Sequence, residues 1–396
     1  MMKKSLLALL LLDAFCLGAH AQSSVTLYGI VDAGLGYNSG QATAQSTGAV
    51  GKPVVYSNAA AYSVTSGTWS GSRWGLKGTE DLGGGMSTVF QVENGFSITS
   101  GALGQGSREF GRQAWMGLSD KQYGTVTFGR QYDPIVDFVG SIGPTSFLTG
   151  MAAHPGDLDN IDNQSRENNS IKYASPVFSG FQFGALYGVG GQPGSLKNQS
   201  TWSIGGQYNN GPFAFGAAYL KANNASSTWN STYDGTFSSS INAGFASSQS
   251  QQIIAASTTY KISAVTLGLS YSNLQYQPGA FSFFKAKEIF NSAGVTAMYQ
   301  VNDAWRAGVG YDYTRGSSIQ GSSGPQYNQF NFSTFYSLSK RTALYGLVGY
   351  QKASGKTLDA FGNVINATAS IGDVANGISS ASNTQTLVRV GVRHTF

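Results

Sequence analysis

Apolar and polar residues alternate in segments of about ten residues from one end of the chain to the other. In the closing sequence LVRVGVRHTF, three valines and the terminal Phe396 share one parity, and two arginines share the other. A period of two sends successive side chains to opposite faces of a strand. The pattern predicts sixteen strands, at 25–37, 72–78, 87–96, 110–118, 123–130, 169–176, 181–188, 201–208, 213–220, 253–262, 265–276, 293–301, 305–314, 327–338, 343–352 and 386–396.

The links between these segments alternate between short and long. The short links carry the Gly, Asn, Asp and Pro of hairpin turns, and lie at 79–85, 119–122, 177–180, 209–212, 263–264, 302–304 and 339–342. The long links lie at 38–68, 97–109, 131–168, 189–200, 221–252, 277–292, 315–326 and 353–385. Membrane barrels have short periplasmic turns and long external loops, whereas a soluble sandwich does not sort its loops by length. The pattern therefore predicts an all-β fold, a 16-stranded antiparallel transmembrane β-barrel wide enough to enclose water.

The first residues have the features of a secretory signal peptide. Lys3 and Lys4 precede a leucine-rich stretch that ends in Ala19-His20-Ala21, which predicts cleavage after Ala21 and a barrel over 22–396. The only cysteine, Cys16, leaves with this segment, so the mature chain has neither disulfides nor thiolate metal sites. No later apolar run has the length of a membrane helix.

The composition agrees with a barrel that faces lipid. Charged residues make up only 11% of the chain, and the predicted outward faces carry almost none of them, whereas a soluble β-protein would place Lys and Glu there. Of the two mature histidines, His154 reads as an ordinary loop residue, and His394 lies on the outer face of the last strand. We expect no catalytic residues, no metal or cofactor site and no nucleic-acid partner.

Strand parity also predicts which charges face the channel. In 72–78, Trp74 and Leu76 facing lipid would send Arg73 and Lys77 inward, and Trp115 facing lipid would do the same for Arg112. A charge on the lipid face near the midplane costs roughly 2–4 kcal/mol, which favours water for these groups. The charged wall residues predicted to face the channel are Asp32, Arg73, Lys77, Glu93, Arg112, Lys172, Arg389 and Arg393.

The long link 131–168 is the candidate constriction loop. Its apolar stretch PIVDFVGSIGP is unsuited to an exposed loop and would pack against the inner wall. The loop would then hold its acids in the channel; these are Asp133, Asp137, Asp157, Asp159, Asp162 and Glu167. The alternative is a solvated surface loop with scattered acids. Arg166 points either way, and Arg130 needs a bulge to turn inward, because Val126 and Phe128 share its parity.

Several sequence blocks carry a family resemblance. With SSVTLYGIVDAGL, SRWGLKGTEDLGGGMSTVFQVENGF, FGRQAWMGL, YGTVTFGRQYDP and the final VGVRHTF, the mature chain resembles the general trimeric porins of β-proteobacteria such as Burkholderia and Bordetella. The resemblance implies a homotrimer in outer-membrane lipid, passive diffusion of small hydrophilic solutes and ions, and an inward-folded third loop. The enterobacterial loop motif PEFGGD is missing, so the geometry of that branch is not carried over.

These observations lead to a hypothesis about the channel. Basic wall residues opposite an acidic third loop would set up a transverse field across a narrow aqueous passage. The arginines favour anions and the loop acids argue against this, so ion selectivity stays open. The alternatives are a solute-specific channel and an adhesive or structural barrel that binds through 221–252 and 353–385. Those two loops have few aromatic or charged anchors, which favours variable exposed surface over a binding site.

Overall fold

The computed structural model describes residues 24–224, 239–373 and 379–396, so the predicted signal peptide lies outside the described residues. The strands are β1 Ser24–Ala44, β2 Tyr56–Ser66, β3 Arg73–Gly83, β4 Met86–Gly95, β5 Gln113–Asp120, β6 Gly124–Gln131, β7 Glu167–Ala174, β8 Phe181–Gly188, β9 Thr201–Asn210, β10 Phe213–Asn223, β11 Ser250–Ile262, β12 Val265–Gln277, β13 Glu288–Gln300, β14 Trp305–Gly316, β15 Gln326–Ser337, β16 Thr342–Ser354, β17 Lys356–Leu358, β18 Val364–Asn366 and β19 Thr384–Thr395. None of the helices in these ranges is long and apolar enough to cross a membrane.

The main sheet is antiparallel and closed. Neighbouring strands pair in sequence order, and β19 returns to β1 with Ile30 opposite Thr395 and Asn38 opposite Leu387. The last residue takes part in this closure, because the backbones of Gly29 and Phe396 exchange two hydrogen bonds of 3.1 Å. Strands β2 and β3 both pair with β1 and lie end to end, so they form one barrel strand. The predicted 16-stranded barrel is therefore confirmed, and each predicted segment overlaps an observed strand.

The first long link departs from the prediction of a loop over 38–68. Strand β1 continues to Ala44, and β2 pairs with it from Tyr56 to Ser66. The β2 sequence YSNAAAYSVTS has no regular apolar alternation, and it becomes a strand because the overlong β1 offers an open edge.

The segment 67–72 between β2 and β3 steps inward from the wall. The carboxylate of Asp32 accepts hydrogen bonds from the backbone N–H groups of Trp69 and Ser70, both at 2.9 Å. The Trp69 ring lies 4.6 Å from Phe335 and 5.8 Å from Tyr345, measured between ring centroids. This inward segment therefore brings an indole to side chains of strands β15 and β16.

Strand faces follow the predicted alternation in most of the barrel. On β19, Val390 is 52% exposed whereas Arg389 is buried. The outward faces are thus apolar, as a barrel in lipid requires, because hydrocarbon offers no partner to a polar side chain.

The prediction that Trp115 faces lipid is wrong. Met116 and Leu118 are the exposed residues of β5, and Trp115 shares the inner face with Gln113, whose Oε1 accepts from the indole Nε1 at 2.9 Å. The indole N–H needs an acceptor, which the lipid side cannot provide. Arg112 precedes β5, so strand parity does not set its direction.

The later long loops fold over the barrel mouth. Ile241, Phe245, Phe284 and Leu358 are buried in one apolar cluster, where Phe245 stacks on Tyr276 of the wall at 4.9 Å. The expectation of variable exposed surface in 221–252 and 353–385 is therefore wrong for their described parts. A few apolar side chains suffice as anchors because the surrounding Ala, Ser and Gly allow close packing.

Candidate functional site

The link between β6 and β7, residues 132–166, is the third loop, and it packs on the inner wall. Its helical turns are Ile135–Val139, Gly140–Ile142, Pro144–Leu148, Gly150–Ala152 and Pro155–Asp157. Ile135 and Val139 are fully buried against residues of β10 and β11. Gly216 of β10 permits this approach, since a Cβ there would lie 1.9 Å from the Phe138 carbonyl oxygen.

A buried polar network attaches the loop to the opposite strands. His154, expected to be an ordinary loop residue, is only 1% exposed. Its Nδ1 lies 2.5 Å from Asp159 Oδ2, and its Nε2 lies 3.0 Å from Ser270 Oγ on β12. Asp312 of β14 lies 3.8 Å from the same Nε2, and the Ser272 hydroxyl donates to Asp159. The network joins the middle of the third loop to two wall strands.

Most of the predicted loop acids build the loop and do not line a channel. Asp133 accepts from the Ile135 N–H at 2.7 Å and from Asn160 Nδ2 at 2.6 Å, and Asp157 accepts from the backbone N–H groups of Asp162 and Gln164. Their carboxylates are buried, as is that of Asp159. The expectation of channel positions for Asp133, Asp157 and Asp159 is therefore wrong, because a loop folded inside a barrel needs internal acceptors for its own backbone.

The last long loop, residues 355–383, meets the third loop inside the barrel. Backbone hydrogen bonds join Gly156 N to Gly372 O at 2.8 Å and Asp373 N to Gly150 O at 3.0 Å. Gln329 of β15 holds both loops, since its Nε2 donates to the Ala153 carbonyl at 2.9 Å and its Oε1 accepts from the Gly372 N–H at 2.9 Å. The two loops therefore form one assembly fixed to the wall.

A polar cavity of about 440 Å³ lies between this assembly and the wall. Arg73, Arg112 and Arg166 line it together with the acids Asp162 and Asp373. The cavity brings together Arg73 and Arg112, Asp162 of the third loop, and Asp373 of the last long loop. Asp373 was not among the residues predicted from the sequence.

The arginines are held in a defined arrangement. Arg112 Nε donates to Glu93 Oε1 at 2.6 Å, and Arg73 Nη1 lies 3.9 Å from the same oxygen. Arg112 also donates to the Tyr132 hydroxyl at 2.8 Å, while the Arg166 guanidinium lies 5.2 Å from the centre of the Tyr132 ring. One carboxylate and one phenol thus keep three like charges in one small space.

The other predicted residues lie around this cluster. Lys172 donates to Asp137 Oδ2 at 2.8 Å, and Lys77 lies 5.5 Å above the Tyr28 ring. Arg130 follows a register shift between Gly129 and Gln131, as a bulge would require, and is buried with its Nε donating to the Gly111 carbonyl.

The remaining predicted residues are Asp32, Glu167, Arg389 and Arg393. Arg389 donates to the Tyr37 carbonyl at 2.7 Å, and Arg393 lies opposite Asp32 in the β1–β19 register. Glu167 is buried at the start of β7, opposite Gln131.

Sequence reasoning missed Trp69, Tyr132 and Asp373. Tyr132 lies in YGTVTFGRQYDP between Arg130 and Asp133, which were both predicted to face the channel. An aromatic residue so close to an arginine could have indicated a site. Trp69 lies between the predicted loop 38–68 and the predicted strand 72–78, and Asp373 lies in the predicted external loop 353–385. The sequence carries no signal that either residue turns inward.

Charges in the loops change the ionisation of several groups. Burial raises the pKa of Asp133 to about 6. Burial, followed by the carboxylates of Asp373 and Asp157, raises the pKa of Asp162 well above its usual range. Burial also favours the neutral phenol of Tyr132, but the neighbouring arginines outweigh it and lower the pKa of Tyr132.

The described ranges hold no group of three or more His, Cys, Asp or Glu side chains that could bind a metal ion. Charged and hydrogen-bonding side chains line the cavity.

Comparisons with known proteins agree with this architecture. The sequence model of the Gram-negative porin family matches residues 6–356. An outer membrane porin protein of Bordetella pertussis is 31% identical over 382 residues, covering 89% of this chain and 94% of that protein. Outer membrane porin protein 32 of Delftia acidovorans is 30% identical over 429 aligned residues, covering 100% of both chains.

Solved structures share the fold. The anion-selective porin from Comamonas acidovorans superposes with a TM-score of 0.68 at 24% identity, covering 94% of this chain and 100% of that chain. An outer membrane protein of Vibrio cholerae in a trimer form gives 0.62 at 15% identity, covering 94% and 99%. The chain belongs to the Gram-negative porin family and forms an outer-membrane channel for passive diffusion of small hydrophilic solutes and ions.

Proposed function

We propose that the cavity between the third loop, the last long loop and the wall is the constriction of this channel. Arg73, Arg112 and Arg166 line it together with Asp162 and Asp373, and we infer that these opposite charges give a transverse field across the channel. Polar solutes align in such a field, whereas apolar solutes lose ordered water and pass slowly. The remaining charges predicted from sequence act along the approach to this point.

We propose further that the channel prefers anions. Three arginines line the cavity, and Glu93 is the carboxylate in direct contact with two of them. Burial and the neighbouring carboxylates of Asp373 and Asp157 raise the pKa of Asp162, which favours its neutral form and lessens the negative charge of the cavity lining. This excess of positive charge is the observation that carries the proposal, and a relative named for anion selectivity shares the fold.

The experiment is a reversal-potential measurement across a planar bilayer in a KCl gradient. Arg73→Gln and Arg112→Gln should each move the reversal potential towards that of a cation-selective channel. Arg315→Gln is the matched control, because it removes the same charge from an exposed position on β14. A potential that neither cavity substitution moves more than the control would refute the constriction assignment.

We also propose a homotrimer. Leu35, Tyr62 and Val64 are 64%, 83% and 62% exposed on adjacent strands β1 and β2, and such an apolar face suits close contact with a second copy. The trimer form of the structurally similar Vibrio protein supports the same assembly. Light scattering of the detergent complex tests this, and sequencing the mature N-terminus tests the proposed cleavage after Ala21.

We propose that the channel has no enzymatic activity, although Ser270, His154 and Asp159 are connected as in a hydrolase triad. Support comes from burial, since all three side chains are enclosed between the third loop and the wall and offer no access to a substrate. Steady ester hydrolysis that Ser270→Ala abolishes would contradict this proposal.

A further inference from the structure

Arg306 on β14 and Arg393 on β19 are inward-facing, half-buried arginines near the end of the barrel with the short turns. Within the described residues, neither guanidinium makes a side-chain hydrogen bond or an ion pair, and the Nε atom of each is buried without a partner. Strands β15 and β16 separate β14 from β19 in the sheet, so the two groups share one region of the lumen. Unpaired cations at partly buried positions are costly unless something else binds them.

Aromatic rings fix the position of Arg306. Its guanidinium carbon lies 4.7 Å from the centre of the Phe335 ring and 5.7 Å from that of Trp69. Phe335 is the direct cross-strand neighbour of Arg306, and Tyr345 is the next residue along the same row. These rings hold the cation without neutralising it, because a π-face attracts a cation but carries no charge.

The nearest acid, Asp32, attracts Arg393 but makes no hydrogen bond to it among the described residues. Asp32 lies opposite Arg393 in the strand register, yet its carboxylate accepts from the Tyr345 hydroxyl at 2.7 Å and from the backbone N–H groups of Trp69 and Ser70. Tyr345 reaches Asp32 across Gly391, where a Cβ would lie 2.3 Å from its hydroxyl. The acid is thus committed to the inward segment 67–72, and the hydrogen-bonding edge of Arg393 stays available.

We propose that Arg306 and Arg393 form a second oxyanion site on the periplasmic side of the constriction, which binds a small carboxylate or phosphate. Guanidinium groups with free N–H donors are suited to the paired oxygens of these groups. The proposal of this site rests on the anion preference proposed above. It adds a second binding step for anions, after the constriction cavity, along the channel.

The two sites share Trp69. One part of its side chain lines the constriction cavity, and its ring lies beside Arg306. An oxyanion that leaves Arg73 and Arg112 therefore passes the inward segment and meets the next cation directly. Division of the path into two moderate sites favours flux, because binding at each must be weak enough for release.

The test is block of the chloride current by inorganic phosphate and, separately, by acetate. In the intact channel at low KCl, we expect saturable block by one or both anions. Arg306→Gln and Arg393→Gln should each raise the half-blocking concentration at least about 10-fold, because each removes a charged hydrogen-bond donor. Arg315→Gln on β14 should leave it unchanged, and heat-modified gel mobility checks that every variant is folded.

The outcomes separate this site from the constriction. Block by phosphate or acetate that weakens in both variants supports the site and identifies its ligand chemistry. Unsaturable block, or equal block in the variants and the control, overturns it. A reversal potential that stays unchanged in Arg73→Gln and Arg112→Gln would refute the constriction alone, since saturable block through Arg306 does not depend on that result.

Discussion

His154 should hold the third loop against the wall through its positive charge. Burial opposes protonation of this imidazole, but Asp159, then Asp312 and Asp157, outweigh burial and raise its pKa from 6.5 to about 9. His154→Gln keeps a side chain that forms hydrogen bonds but removes the charge. We expect this variant to release the middle of the loop from β12 and β14 while the barrel stays intact.

The magnitude follows from the pKa. A folded-state pKa above the unfolded one stabilises the loop fully below the unfolded value and loses that stabilisation as pH rises through about 9. The change from 6.5 to about 9 corresponds to about 3 kcal/mol, most of which remains at neutral pH. The lowered pKa of Asp159 expresses the same ion pair and adds nothing further.

Hydrogen exchange of amides 150–160 measures this energy. After correction for intrinsic rates, wild-type protection should fall about 100-fold between about pH 6 and about pH 9. Protection in His154→Gln should be low and nearly independent of pH. The control is His394→Gln. His394 is exposed on the outer face of the barrel, and its ring forms a hydrogen bond with the Thr342 hydroxyl.

Two results would refute the reasoning. If wild-type protection does not change over this pH range, the charge of His154 does not hold the loop. If His154→Gln protects amides 150–160 as well as the control does, packing of the apolar residues alone fixes the loop.

Three further changes test the loop assembly. Gly216→Ala places a methyl group 1.9 Å from the Phe138 carbonyl, so it should push the third loop into the lumen and lower single-channel conductance; unchanged conductance would show that the contact yields freely. Gln351→Ala removes 2.8 Å hydrogen bonds to both the N–H and the carbonyl of Ser370, and exchange at 369–373 should report a loss of about 1–3 kcal/mol that a merely superficial contact would not give. A rise in pH through the raised pKa of Asp162 should ionise this group and reduce anion preference in reversal-potential measurements, and Asp162→Asn should weaken this dependence if the raised pKa is its source.

The barrel was predictable from sequence because lipid and water impose opposite chemistry on alternate residues. That constraint does not apply where the chain leaves the bilayer or where distant segments of the chain pack against each other. Strand β2 lacks regular alternation, since small or polar residues surround Tyr62 and Val64, and Trp115 turns inward because its N–H finds Gln113 there. Aromatic character alone does not tell the lipid side from the lumen.

The candidate site was predictable in part. Arg73 and Glu93 follow from strand parity, whereas Asp157 was assigned to the channel although its carboxylate caps loop backbone. Loop charges divide between these roles according to contacts between distant segments. Asp373 becomes part of the cavity only because Gly150 accepts its N–H, and no local pattern encodes that pairing.

The last long loop links the first hairpin to the cavity between the loops and the wall. Asn363, between β17 and β18, accepts a hydrogen bond from Gly51 N at 2.6 Å and donates one to Ala49 O at 2.8 Å, and Asp373 of the same loop lines the cavity. We therefore expect an antibody or phage that binds this hairpin to change the ionic current through the channel.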